Sequence, residues 1–78
     1  MKTTKITTGI YRFTYKGRTF EVENMAVGSD GETKGWFVFE VDKSGDREFD
    51  TDYDTKRFAI KRTMDRVDAD EFAEGRNF

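Results

Sequence analysis

Residues 10–25 read Ile10-Tyr11-Arg12-Phe13-Thr14-Tyr15-Lys16-Gly17-Arg18-Thr19-Phe20-Glu21-Val22-Glu23-Asn24-Met25. In residues 10–15, period-two alternation places Tyr11, Phe13 and Tyr15 on one side of a strand and Ile10, Arg12 and Thr14 on the other. Lys16-Gly17-Arg18 is a short turn in which glycine can take a positive φ, so residues 19–25 should return as the hairpin partner. In that return, Phe20 and Val22 point one way while Thr19, Glu21 and Glu23 point the other.

Working outward, Gly28-Ser29-Asp30-Gly31 is turn chemistry, and a loop is expected to run on to Gly35. A third strand is read at residues 36–42, a turn at Lys43-Ser44-Gly45-Asp46, and a fourth strand at residues 47–51. The Thr- and Lys-rich residues 1–8 are expected to fray. Asp54 or Thr55 can cap a helix, and from Lys56 onward Ala59, Ile60, Thr63, Met64 and Val67 fall within one arc at 100° per residue. Asp68-Ala69-Asp70-Glu71 resembles an Asp-headed capping box, which predicts a second, short helix stopped at Gly75. The expected fold is α+β: a four-stranded antiparallel meander with one main helix packed on one face and a short C-terminal helix.

The 78 residues suit a single domain spanning residues 1–78. The apolar mass is aromatic, with eight Phe, three Tyr and one Trp, which matches a half-buried sheet surface. The absence of Cys removes disulfides and thiolate chemistry, and the absence of His removes the commonest general base and transition-metal ligand. No apolar run approaches a membrane span and residues 1–20 lack a signal-peptide core, so no membrane association and a cytoplasmic location are expected.

Charge is segregated along the chain: residues 1–19 hold five cations and no acid, and residues 20–54 hold eleven acids against Lys34, Lys43 and Arg47. Residues 55–66 are again basic, with Lys56, Arg57, Lys61, Arg62 and Arg66 against Asp65, and the tail is acidic. Two readings fit, a pairing of neighbouring elements, which is the favoured one, and a patch for a polyanion.

Asp50, Asp52 and Asp54 alternate like the start of a calcium loop, but Thr55 and Lys61 stand where that loop needs Gly and a bidentate Glu. No metal, cofactor or catalytic residue is expected. Ser29 and Ser44 have no His to activate them, and Gly28-Ser29-Asp30-Gly31 lacks the helix and Lys of a phosphate loop. If Phe37, Phe39 and Val41 face the core, then Trp36 and Val38 occupy an open sheet face beside Arg12, a semi-apolar centre with a polar rim. The competing reading reverses the register or covers Trp36 with Phe72 and Phe78. Phe58 falls opposite the helix's apolar arc among Arg57, Lys61 and Arg62, where it could stack on a base or anchor an acidic partner. Alternatively, a folded-back second helix brings Phe72 over it.

Gly35-Trp36-Phe37-Val38-Phe39, Asp42-Lys43-Ser44-Gly45, Phe49 and Asp54-Thr55-Lys56-Arg57-Phe58-Ala59-Ile60 form a strand-turn-strand-helix pattern across residues 9–66. It resembles small uncharacterised bacteriophage proteins and, more distantly, the arm-type DNA-binding module of tyrosine recombinases. The second resemblance implies a three-stranded sheet entering the DNA major groove, although Glu21, Glu23 and Glu40 would then face phosphates. The expected function is a small non-enzymatic binding module, a phage-type accessory or inhibitor protein that docks on a host macromolecule in the host cytoplasm. Its partner would be a protein or nucleoprotein, bound through Trp36, Val38, Arg12, Phe58, Arg57, Lys61 and Arg62. The alternative is a nucleic-acid-binding module using the basic helix 55–66 and the N-terminal strand, and a third reading is a homodimer joined through the open face.

Overall fold

Lys16 and Gly17 both take positive φ, 50° and 80°, so the first hairpin closes through a two-residue turn whose twist matches that of the strands it joins. The structure is a computed structural model that describes residues 3–26 and 34–75, with backbone alone for 73–75. Five strands, β1 (Thr4–Thr7), β2 (Ile10–Tyr15), β3 (Arg18–Ala26), β4 (Lys34–Val41) and β5 (Arg47–Tyr53), precede a single helix, α1 (Lys56–Gly75). The sheet is antiparallel throughout, in the order β1-β2-β3-β4-β5.

The meander therefore has one strand more than expected. Residues 4–7 join the sheet because Gly9, at φ 83°, reverses the chain tightly while its carbonyl accepts the Asn24 N–H at 2.8 Å. Gly35 lies in β4, paired with Met25, and not in a loop. The Gly28-Ser29-Asp30-Gly31 turn lies outside the described residues. In the β4–β5 turn, Gly45 takes φ 88° and the Asp42 carboxylate accepts the Ser44 and Asp46 N–H groups, both at 2.9 Å.

Thr55 caps the helix: its hydroxyl accepts the Phe58 N–H at 3.1 Å and its carbonyl accepts the Ala59 N–H at 2.9 Å. The expected second helix is instead the continuation of the first. No Gly or Pro interrupts residues 56–74, and the Asp68 side chain reaches away to Tyr15 and Lys16 instead of capping a new turn. The expected apolar arc is observed, with Ala59, Thr63 and Val67 buried and Ile60 and Met64 packed beside them. The helix lies over β3, β4 and β5.

The face that it covers differs from the expected one. Val38 pairs with Val22 and Glu40 with Phe20, so Trp36, Val38 and Glu40 share the helix side with Phe20 and Val22. Phe13, Phe20, Val22, Val38, Ala59 and Val67 form the buried core. Phe37, Phe39 and Val41 take the uncovered side. Both sides of β4 are apolar, so alternation alone did not choose between them. Pairing with β3 does: Val38 stands opposite Val22, and both valines lie fully buried with Ala59 and Thr63 of the helix.

Replacement of Ala59 by Leu should overpack that contact and cost about 1–3 kcal/mol. In thermal unfolding this corresponds to a fall in Tm of roughly 4 °C or more, whereas Lys61→Leu, on the exposed side, should leave Tm nearly unchanged. Equal tolerance at both positions would contradict the helical phase.

Candidate functional site

Much of the segregated charge is consumed in joining elements. At the C-terminal half of α1, Lys16 pairs with Asp68 at 2.8 Å and with Glu71 at 3.2 Å. Arg18 meets Glu40 at 2.7 Å and Asp70 at 3.0 Å, and the Tyr15 hydroxyl donates to Asp68 at 3.0 Å. On the other flank Arg66 pairs with Asp50. The first hairpin and β5 thus grip the helix from both sides. A shallow cleft of about 260 Å³ beside this grip is lined by Arg18, Glu40, Glu48, Asp50 and Arg66 among others, and its two arginines are already paired. Among the described residues no group of three His, Cys, Asp or Glu side chains is placed to hold a metal ion.

Two surfaces remain. The first is the uncovered sheet face. Phe49 of β5 is 53% exposed and packs against Phe37 at 5.6 Å and Phe39 at 5.8 Å between ring centroids. Arg47 lies over the Phe39 ring at 3.8 Å and reaches Glu21 at 3.2 Å and Glu23 at 2.7 Å. Arg12 donates to Glu21 at 3.0 Å, which leaves Glu21 held between two guanidinium groups at 6% exposure. Two arginines against two glutamates make this lattice neutral.

The second surface surrounds the N-terminal half of α1. Trp36 pairs across the strands with Tyr53, whose ring lies 5.5 Å from that of Phe58, and Tyr11 lies 6.0 Å from Trp36 on the other side. Four aromatic rings therefore follow one another around this end of the molecule. Lys56 lies over Tyr11 at 3.8 Å and Arg62 near Phe58 at 5.9 Å. Lys61 pairs with Asp65 at 3.2 Å and Arg62 approaches the same oxygen at 4.0 Å. Phe58 is 47% exposed, and Phe72, four turns further along the same continuous helix, does not fold back over it.

Of the seven residues singled out in the sequence, Trp36 and Phe58 belong to this ring series and Arg62 lies near Phe58, while Arg57 and Lys61 are exposed on the same half of the helix. Arg12 stands on the opposite face, and Val38 lies fully buried beneath the helix, where it can touch no partner. Trp36 is on the helix side of the sheet and partly buried, not at the centre of the open face. Tyr11 and Tyr53 escaped the sequence reading because only the register that sets Trp36 opposite Tyr53 brings them into line, and a bulge at Val38/Phe39 shifts that register midway along β5. Phe37, Phe39 and Phe49 were missed as a surface when two of them were assigned to the core.

Comparison of the chain with protein-family models, with curated proteins and with solved structures finds no match.

The grip on the helix titrates in a defined direction. Hydrogen bonds from Lys16, then Tyr15, hold the Asp68 carboxyl below its ordinary value, and Arg18 does the same for Glu40. Bonding to Asp68 and Glu71 raises Lys16, and bonding to Asp68 raises Tyr15. A depressed carboxyl stabilises the fold fully above the ordinary carboxylate range, near pH 4, and loses that contribution as pH falls through the depressed value. Thermal unfolding should thus show Tm dropping below about pH 4, and Asp68→Asn, less stable at neutral pH, should show a smaller further drop. An unchanged acid dependence in the variant would remove Asp68 from the grip.

Proposed function

We propose that this chain is a small non-enzymatic binding module that docks on a protein partner through the uncovered sheet face. The observation that carries the reading is the Phe37-Phe49-Phe39 cluster, an aromatic centre with one half-exposed ring, framed by the Arg12-Glu21-Arg47-Glu23 lattice. Central aromatic anchors inside a polar frame are the usual build of a binding hot spot. The frame is held in place before any partner arrives, so little side-chain entropy is lost on docking. Major-groove entry by this face is not part of the proposal, because both of its arginines are already bound to glutamates.

Two further facts favour binding over catalysis. The chain has neither His nor Cys, and both arginines of the cleft beside the helix are already paired with carboxylates. Membrane anchoring by α1 is not part of the proposal, since no helix among the described residues is long and apolar enough to cross a bilayer.

A photo-crosslinking phenylalanine analogue at position 49 tests the reading. In a bacterial lysate it should form one discrete heavier adduct that the same analogue at Lys43, in the β4–β5 turn, does not form. An adduct of twice the chain's own mass would assign the face to a second copy instead. No adduct beyond the Lys43 background would remove the face as a docking surface.

A further inference from the structure

The charges of α1 run against the helix dipole. The positive end of a helix favours acids and the negative end favours bases, yet the first turn of α1 holds no acid and its last turn no base. Lys56 and Arg57 open the helix, and Asp68, Asp70 and Glu71 lie towards its other end. The acids are explained by their partners, Lys16 and Arg18 of the first hairpin. Of the two cations that open the helix, only Arg57 is left without a contact that explains it. Arg57 is exposed and has no ion pair among the described residues, and Lys56 rests on the Tyr11 ring. Where a local preference is violated without a structural return, the residues concerned are candidates for function.

What surrounds these cations identifies the partner. Lys5 of β1 pairs with Tyr11, so its side chain stands on the same face of the sheet, beside the Lys56 contact. Asp68 reaches Tyr15 of β2 and, with Glu71, Lys16 of the turn that follows it, whereas Arg66 reaches β5. At 100° per residue, Arg57 and Lys61 then fall on the β2 flank with Asp68, and Phe58 and Arg62 fall on the outward side towards β5. Lys5, Lys56, Arg57, Lys61 and Arg62 therefore border the ring series Tyr11, Trp36, Tyr53 and Phe58, with Asp54 and Asp65 as the nearby acids. Thr55 already caps the first turn, so the side chains and not the free backbone N–H groups make up the surface.

We infer that this surface binds single-stranded nucleic acid: the cations meet the phosphates and the exposed edge of the ring series, Phe58 foremost, stacks on bases. Successive aromatic rings within a cationic border are how single strands are held without sequence readout. A duplex keeps its base faces inside and would leave Phe58 unused, and an acidic protein would need the cations but not the series of rings. The site lies on the helix side of the sheet and is independent of the docking face proposed above.

The test uses the whole chain and a fluorescein-labelled fifteen-nucleotide oligothymidine. Anisotropy should report binding that weakens steeply between 50 and 200 mM salt, as released counterions require, and emission from Trp36, the single tryptophan, should be quenched on binding. Phe58→Ala should weaken binding roughly fivefold or more while Phe58→Tyr retains it. Arg57→Glu is the sharper variant: it should abolish binding while leaving Tm equal or higher, because an acid in the first turn suits the dipole and lies four residues before Lys61. Tighter binding to a duplex of the same length, equal binding to polyglutamate, or unchanged affinity in Phe58→Ala would each overturn the assignment. Loss of binding in Arg57→Glu accompanied by a lowered Tm would do so as well, since the arginine would then be structural.

Discussion

The fit of a close-lying helix on a twisted sheet governs the arrangement of everything else. Ala59 and Thr63 are both fully buried, and the Thr63 hydroxyl donates to the Ala59 carbonyl at 2.8 Å, so the seat carries no unsatisfied hydroxyl. Small side chains on the helix let its backbone approach the strands, and the space left beneath is that of Val22 and Val38, both fully buried. Phe13 and Phe20 share the buried core with these valines, and the other large rings lie at its border or beyond it. Tyr11, Trp36 and Tyr53 border the N-terminal half of the helix, and Phe37, Phe39 and Phe49 take the far side of the sheet.

Electrostatics divides the same molecule differently. At the hairpin end, Lys16 of the β2–β3 turn and Arg18 of β3 meet acids of the helix some fifty positions away in sequence, and Arg18 also meets Glu40 of β4. These pairs are substantially exposed and each contributes little alone, but they fix the helix direction and leave that end saturated. On the uncovered face the lattice is closed on itself. Around the first half of α1 the cations outnumber the acids near them, and this is the end where the rings emerge. A local excess of cations beside aromatic groups distinguishes that end from the rest of the described surface.

The legible parts of the sequence were those specified locally. The Lys16-Gly17 turn, the Thr55 cap and the arc from Ala59 to Val67 each depend on residues within a turn or two of one another, and all three are present. The faces of β4 were not legible, because Trp36, Phe37, Val38 and Phe39 are apolar on both sides and only pairing with β3 tells them apart. β1 was missed since Thr4–Thr7 has no apolar alternation and owes its place to the Gly9 reversal. The supposed second helix came from reading Asp68 as a cap when its partners, Tyr15 and Lys16, lie at the distant end of β2 and in the turn that follows it. Phe58 was correctly read as exposed among cations, but its neighbours Tyr53 and Trp36 come from strands whose register is set by a bulge.

The helix covers the Val38 side of β4 and leaves the Phe37 side open, and the absence of cysteine from the chain allows this to be measured without background. Single cysteines placed by Phe37→Cys and by Val38→Cys would be labelled with a thiol reagent in the native protein at neutral pH. The account predicts rapid labelling at position 37 and labelling at position 38 only as fast as the protein opens. Rapid labelling at position 38 with protection at position 37 would place the helix on the other face and contradict the account.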